Sequence, residues 1–194
     1  MSKALPPPLA LKFTTGECTL GDIHSHVLVA RSEQGICAIL LGDTPQVLRD
    51  DLQQRFPKAQ LNNAEAELKQ TLAQVIALIK KPHHIDSPLV IPLDISLDIR
   101  GTAFQQRVWQ VLRNIPVGST MSYSEIAQAL GAPQSARAVA GACAANALAV
   151  VIPCHRVIRS DGALSGYRWG TERKRALLEL ERESLAVRNK TFKA

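Results

Sequence analysis

SYSEIAQALGAPQSARAVAGACAAN, residues Ser122–Asn146, is the stretch that decides the fold. Ser122 precedes a helical run and Glu125 stands three residues later, the pattern of a capping box. The run Tyr123 to Leu130 is short and ends at Gly131-Ala-Pro133, a chain-breaking turn. A second helix is predicted from about Gln134 to Ala145. A short helix, a glycine turn and a second helix make a helix-turn-helix. The second helix is unusual: after Arg137 its residues are almost all tiny, through Ala138, Ala140, Gly141, Ala142, Ala144 and Ala145. A helix that reads base edges carries Arg, Asn, Gln or Lys on its exposed face. This one offers few donors, but its backbone can approach another surface closely, either a packed neighbour or a narrow groove.

Working outward, Leu148 to Ile152 is an apolar run stopped by Pro153, and Pro153-Cys154-His155-Arg156 follows. A thiolate is the reactive form of cysteine, and nearby positive charge lowers the thiol pKa. Arg156 and Arg159 are expected to supply that charge, and His155 to take or relay a proton. Thr102 is placed to cap a helix through Phe104, Val108, Trp109 and Leu112 to Asn114. A last amphipathic helix begins at Thr171 and carries Ala176, Leu177 and Leu180 on its apolar side.

The first half reads differently. Residues 1–10 are expected to be a tail. His26 to Arg31 and Ile36 to Leu41 are predicted strands joined by a turn at Ser32-Glu-Gln-Gly35. Pro45 to Phe56 and Ala64 to Lys81 show helical spacing, and Pro88 to Ile99 alternates like a strand. No convergent catalytic set appears there, so this half is read as scaffold. The expected division is 1–98 as a small α/β domain and 99–194 as a mainly helical one.

Charge is distributed unevenly. Residues 1–99 hold 9 Lys and Arg against 11 Asp and Glu, whereas residues 100–175 hold 10 against 3. A basic segment around a reactive thiol points to a polyanion, nucleic acid first. Cys18, Cys37, Cys143 and Cys154 form no CxxC pair, so neither a zinc knuckle nor a redox dithiol is indicated. Cys18, Cys37 and Cys143 are expected to be small buried hydrophobes. His24, His26, His83 and His84 are read as surface or turn residues rather than ligands, the lesser alternative being a metal site assembled from the two His pairs and Cys18. Met1-Ser-Lys-Ala-Leu-Pro-Pro-Pro lacks the apolar run of a signal peptide, and the apolar stretch Ala138 to Ile152 falls short of the ~20 residues of a membrane helix. A cytoplasmic protein with no membrane partner is the expectation.

From Gly101 to about Glu183 the chain resembles the O6-alkylguanine-DNA alkyltransferases. The matching pieces are Gly101-Thr-Ala-Phe-Gln-Gln, Ser122-Tyr123, Ala136-Arg137-Ala-Val, Asn146, Ile152-Pro-Cys-His-Arg-Val and Asp161-Gly-Ala-Leu-Ser-Gly-Tyr-Arg-Trp-Gly170. The resemblance implies an α+β protein: a ribonuclease-H-like N-terminal domain, then a helical domain with a winged helix-turn-helix. It implies that Cys154 accepts an alkyl group from O6-alkylguanine in DNA, and from O4-methylthymine as well. This is direct-reversal repair with a single turnover and no cofactor. His155 would take the thiol proton through a water, with Glu181 orienting it. Arg137 would replace the flipped base and Tyr123 would press on the 3′ phosphate. Asn146 would brace the turn before the active-site strand, while Arg156, Val157 and Ser165 would serve DNA and base binding. The implied partner is double-stranded DNA, approached through its minor groove by a monomer. Ser32 and Cys37 stand where the human member has zinc ligands, so no metal is expected. Two other readings compete: a non-catalytic alkylated-base-binding protein on the same fold, and a Cys–His hydrolase.

Overall fold

The computed structural model describes residues 9–80, 82, 96–164 and 166–191. Its first unit is a four-stranded sheet with two helices. Strands β1 (Ala10–Leu20), β2 (Ile23–Arg31) and β3 (Ile36–Gly42) form an antiparallel meander, and β4 (Gln60–Asn63) joins β1 in parallel, giving the order β3-β2-β1-β4. Helix α1 (Pro45–Arg55) is capped by Thr44, whose hydroxyl accepts from the Val47 N–H at 3.3 Å, with Pro45 in the first turn where no N–H is needed. Helix α2 (Glu65–Lys80) packs on β1 and β2, burying Leu68, Val75, Leu78 and Ile79.

The predicted hairpin and both helices are present. The tail reading ends too late, because the chain is already in β1 at Ala10. The predicted strand over Pro88 to Ile99 lies mostly outside the described residues; of its end, Leu97 bridges Ile36.

Every residue of β3 is buried, although it is an edge strand of the sheet. Two short pieces of chain cover its free edge. Ile36 donates to Ser96 O at 2.9 Å and accepts from the Asp98 N–H at 2.9 Å; Ile39 donates to Ala147 O at 2.7 Å and accepts from the Ala149 N–H at 2.9 Å. An uncovered edge would leave backbone donors and acceptors free to pair with other chains. The second of these pieces, Ala147 to Ala149, is the segment that leads into Cys154, so the sheet fixes that segment's register.

The second unit holds α3 (Ala103–Arg113), β5 (Met121–Ser122), α4 (Tyr123–Ala129), α5 (Ala136–Ala145), β6 (Val157–Ile158) and α6 (Thr171–Thr191). Single 3-10 turns occupy Pro133–Ser135 and Cys154–Arg156. Both Thr102 and Ser122 form reciprocal capping boxes, with Gln105 and Glu125. Trp109 Nε1 donates to Ala142 O at 2.9 Å, locking α3 onto α5. A Cβ at Gly101 would sit 2.5 Å from the Trp109 ring, so only glycine fits there. Strand β5 pairs β6 in parallel, which sets the start of α4 beside the Cys154 turn. One continuous apolar cluster runs from Leu11 to Leu177 through both units. The α+β class expected from the sequence is the class found.

Candidate active site

Cys154 is presented by a chain folded unusually tightly. Val151 donates to Ala149 O at 2.7 Å around Val150, whose φ is +62°. A β-branched residue in the left-handed region is strained, and an i to i+2 bond around it is the rarer form of γ-turn. Cys154 donates to Ile152 O at 2.7 Å around Pro153, with φ −80° and ψ 61°, the common inverse γ-turn. Asn146 holds this stretch from inside. Its Oδ1 accepts from the Leu148 N–H at 2.8 Å, and its Nδ2 donates to Ile152 O at 2.8 Å and to Cys154 Sγ at 3.1 Å. Asn146 is buried, and these bonds tie it to the turn and to the sulfur.

His155 and Arg156 converge on Glu181 of α6. His155 Nε2 lies 2.7 Å from Glu181 Oε1. Arg156 donates through Nε at 3.0 and 3.1 Å and through Nη2 at 2.8 Å, and its Nη1 donates to Ile115 O at 2.6 Å. The Gly118 N–H, at φ +75°, adds 2.9 Å to Glu181 Oε2. Burial alone would raise Glu181, but hydrogen bonds and charge from His155 and Arg156 outweigh it and hold the carboxyl at about 2. Burial lowers His155 against the pull of Glu181, so the imidazole is neutral. An ionised carboxylate only accepts, which assigns the proton to Nε2 and leaves Nδ1 with a lone pair. That Nδ1 is buried and has no hydrogen-bond partner among the described residues. It is a base with its capacity unspent.

The thiol contradicts the charge argument drawn from sequence. Cys154 is 4% exposed, and burial pushes its thiol up to about 11. The influences that pull it down are the Asn146 hydrogen bond, then Lys174, the Cys154 backbone and Arg55. Arg156 is not among them because Glu181 engages its guanidinium, and Arg159 is exposed and paired with Asp161 at 3.1 Å. Arg156 is likewise not free for DNA: its donors are committed to Glu181 and Ile115, in the interior.

Lys174 escaped the sequence reading. It is fully buried, and its Nζ donates to Val157 O at 2.5 Å. Lys174, Leu178 and Glu181 recur at helical spacing on one side of α6. Two charged residues in register with the buried leucines were the available signal.

Other expected positions separate by exposure. Arg137 is exposed in the first turn of α5, on a face shared with Ala138, Gly141, Ala144 and Ala145, while Val139, Ala142 and Cys143 turn inward. Tyr123 is half-buried against the core at the start of α4. Ser165 lies outside the described residues, as do His83 and His84. Ser32 donates to Asp98 Oδ2 at 2.7 Å, and Cys37 Sγ lies 3.6 Å from Ala30 O, so both have other partners. Cys18, Cys37 and Cys143 are buried. No described helix is long and apolar enough to cross a membrane.

Comparison with known proteins adds the following. A family model described as 6-O-methylguanine DNA methyltransferase, DNA binding domain, matches residues 103–183. The bifunctional transcriptional activator/DNA repair enzyme Ada of Escherichia coli is 53% identical over 176 residues, covering 91% of this chain and 47% of Ada. A methylated-DNA–protein-cysteine methyltransferase of Debaryomyces hansenii is 34% identical over 167 residues, covering 82% of this chain and 86% of that protein. The structure of Mycobacterium tuberculosis OGT in complex with DNA superposes with a TM-score of 0.64 at 32% identity, over 91% of this chain and 94% of that one. The sequence match covers about half the length of these bacterial relatives, 47% of Ada and 54% of a Mycobacterium tuberculosis methylated-DNA–protein-cysteine methyltransferase.

Proposed function

The chain belongs to the O6-alkylguanine-DNA alkyltransferase family, and we propose that it repairs DNA by moving an alkyl group from O6 of guanine to Cys154. O4-methylthymine is the second substrate on this reading. The observations that carry it are a buried sulfur held by Asn146 and, on the next residue of the same turn, a neutral imidazole whose Nδ1 is unspent and whose Nε2 is fixed by Glu181.

The resting state is a thiol and a neutral imidazole, not an ion pair. Reaction passes the thiol proton to His155 through a water. The sulfur then attacks the alkyl carbon, forming the S–C bond as the C–O6 bond breaks. Guanine leaves with that electron pair and takes up a proton. Glu181 stabilises the imidazolium formed on the way, and Lys174 and Arg55 favour the transient thiolate. General-base assistance of this kind contributes roughly 10²–10⁴-fold. Nothing in the site cleaves a thioether, so each molecule acts once, and no cofactor enters.

The target atom lies inside the duplex, so the nucleotide rotates out at a cost of a few kcal/mol. The helix pair α4 and α5 docks in the minor groove as a helix-turn-helix, with the small-residue face of α5 against the DNA. Arg137 fills the space the base leaves, and Tyr123 presses on the 3′ phosphate. The flipped base sits against Val157, and Ser165 keeps the base-binding role that the family resemblance implies. Lys174 fixes the Val157 carbonyl. Arg156 contributes by bracing Glu181. The protein acts as a monomer. The non-catalytic alternative loses ground to the acceptor thiol itself.

Cys154→Ala tests the reading. It is expected to release no methyl group from an O6-methylguanine duplex yet to bind that duplex within a few-fold of wild type by gel shift. Methyl loss that persists in the variant overturns it.

A further inference from the structure

The hairpin of β1 and β2 turns at Gly21-Asp22 and carries a cluster unrelated to Cys154. Across the ladder Glu17 faces His26 and Thr19 faces His24, while Cys18 faces Ser25. Side chains alternate along a strand, so Glu17, His24 and His26 leave on one side of the hairpin and Cys18 and Ser25 on the other. One ligand atom from each of Glu17, His24 and His26 lies within 4.8 Å of the others. The two imidazole rings meet at 88° with centroids 5.3 Å apart, so they are not stacked. Glu17 and His24 are exposed. Nδ1 of the half-buried His26 is shielded from solvent and has no hydrogen-bond partner among the described residues.

We propose that Glu17, His24 and His26 bind one divalent transition-metal ion of the zinc type, with water in the fourth position. Two neutral imidazoles and a carboxylate suit Zn²⁺, Ni²⁺ or Cu²⁺ and not Mg²⁺ or Ca²⁺. Bonds to a tetrahedral zinc are about 2.0–2.2 Å, which places the donors about 3.4 Å apart. The exposed Glu17 and His24 reach that separation by side-chain torsion while the ladder holds the backbone register. Bound through Nδ1, His26 would give that nitrogen the partner it lacks, and the ion clips the two strands beside their turn. The buried cysteine on the opposite face takes no part.

Zn²⁺ titrated into chelator-stripped protein, followed by calorimetry and native mass spectrometry, tests this. Wild type and Cys154→Ser are expected to bind one equivalent. His24→Ala and Glu17→Gln, both at exposed positions, are expected to bind at least tenfold more weakly. Zn²⁺ is expected to raise the Tm of wild type and not of these variants, and methyl transfer by them stays at the wild-type level. Absence of a bound equivalent, or binding undiminished in His24→Ala and Glu17→Gln, overturns the proposal.

Discussion

Glu181 keeps its negative charge with only 3% of its side chain open to water. Four donors make that tolerable, and the charge in turn decides which nitrogen of His155 holds the proton. Unfolded, the carboxyl titrates near its ordinary 4.5; folded, it titrates at about 2. Its stabilisation is therefore complete above about 4.5 and is lost as the pH falls towards 2. His155 works in the same direction, since the unfolded chain takes up its proton through 6.5 while the buried ring resists it. Glu181→Gln removes the charge and leaves Arg156 buried without a counter-ion, a loss of about 3 kcal/mol. In thermal unfolding across pH, the Tm gap between wild type and this variant is expected to be wide at pH 7 and to narrow between pH 5 and 3. A gap independent of pH would detach the stabilisation from the carboxylate's charge. The pair Cys154–His155 was legible because both residues sit together in the sequence. The sign of the thiol's shift was not, because burial is a property of the fold, and adjacency in sequence sent Arg156 away from the sulfur.

At the scale of elements, local rules carried furthest. Ser122 and Thr102 announced α4 and α3 because a capping bond spans only three residues. Strand β1 was missed because Thr14, Thr15, Gly16 and Glu17 interrupt its alternation; it is a strand because β2 and β4 flank it. Strand β4, Gln60–Asn63, is held by pairing with β1 and has almost no apolar signal of its own. Helix α5 yields a pair of expectations. A Cβ at Gly141 meets nothing within 4 Å. Gly141→Ala is therefore expected to raise stability by about 0.5–1 kcal/mol through helix propensity. Gly141→Leu is expected to fold equally well yet bind duplex DNA more weakly, because it adds bulk to the face proposed to lie against the groove. Unchanged DNA affinity would move the contact off α5. Arg137→Ala is expected to slow repair of duplex DNA far more than reaction with free O6-benzylguanine, and equal losses on both would remove Arg137 from the vacated base position.

At the scale of the molecule, the sheet and the helical half share one core and one strand edge. Ile39 bonds to Ala147 and Ala149, three residues of chain away from the turn that presents Cys154. The division into residues 1–98 and 99–194 drawn from sequence marks a change of character, and the apolar cluster continues across it. Calorimetry is expected to show a single unfolding transition that Ile39→Ala shifts downward as a whole, by about 2–4 kcal/mol for a large-to-small change in a full core. Two separable transitions would show that the halves stand alone. The arrangement gives the first half a purpose: it supplies the rigid edge on which the reactive turn is hung.

The proposed repair rests on Cys154 as a one-time acceptor. Incubation with excess O6-methylguanine duplex, followed by intact-mass and peptide mass analysis, measures this directly. The expected result is a gain of one methyl group per protein molecule, confined to the peptide holding Cys154, with no further methyl loss from DNA once every molecule is modified. A methyl group on another cysteine, or continued turnover beyond one equivalent, would contradict it.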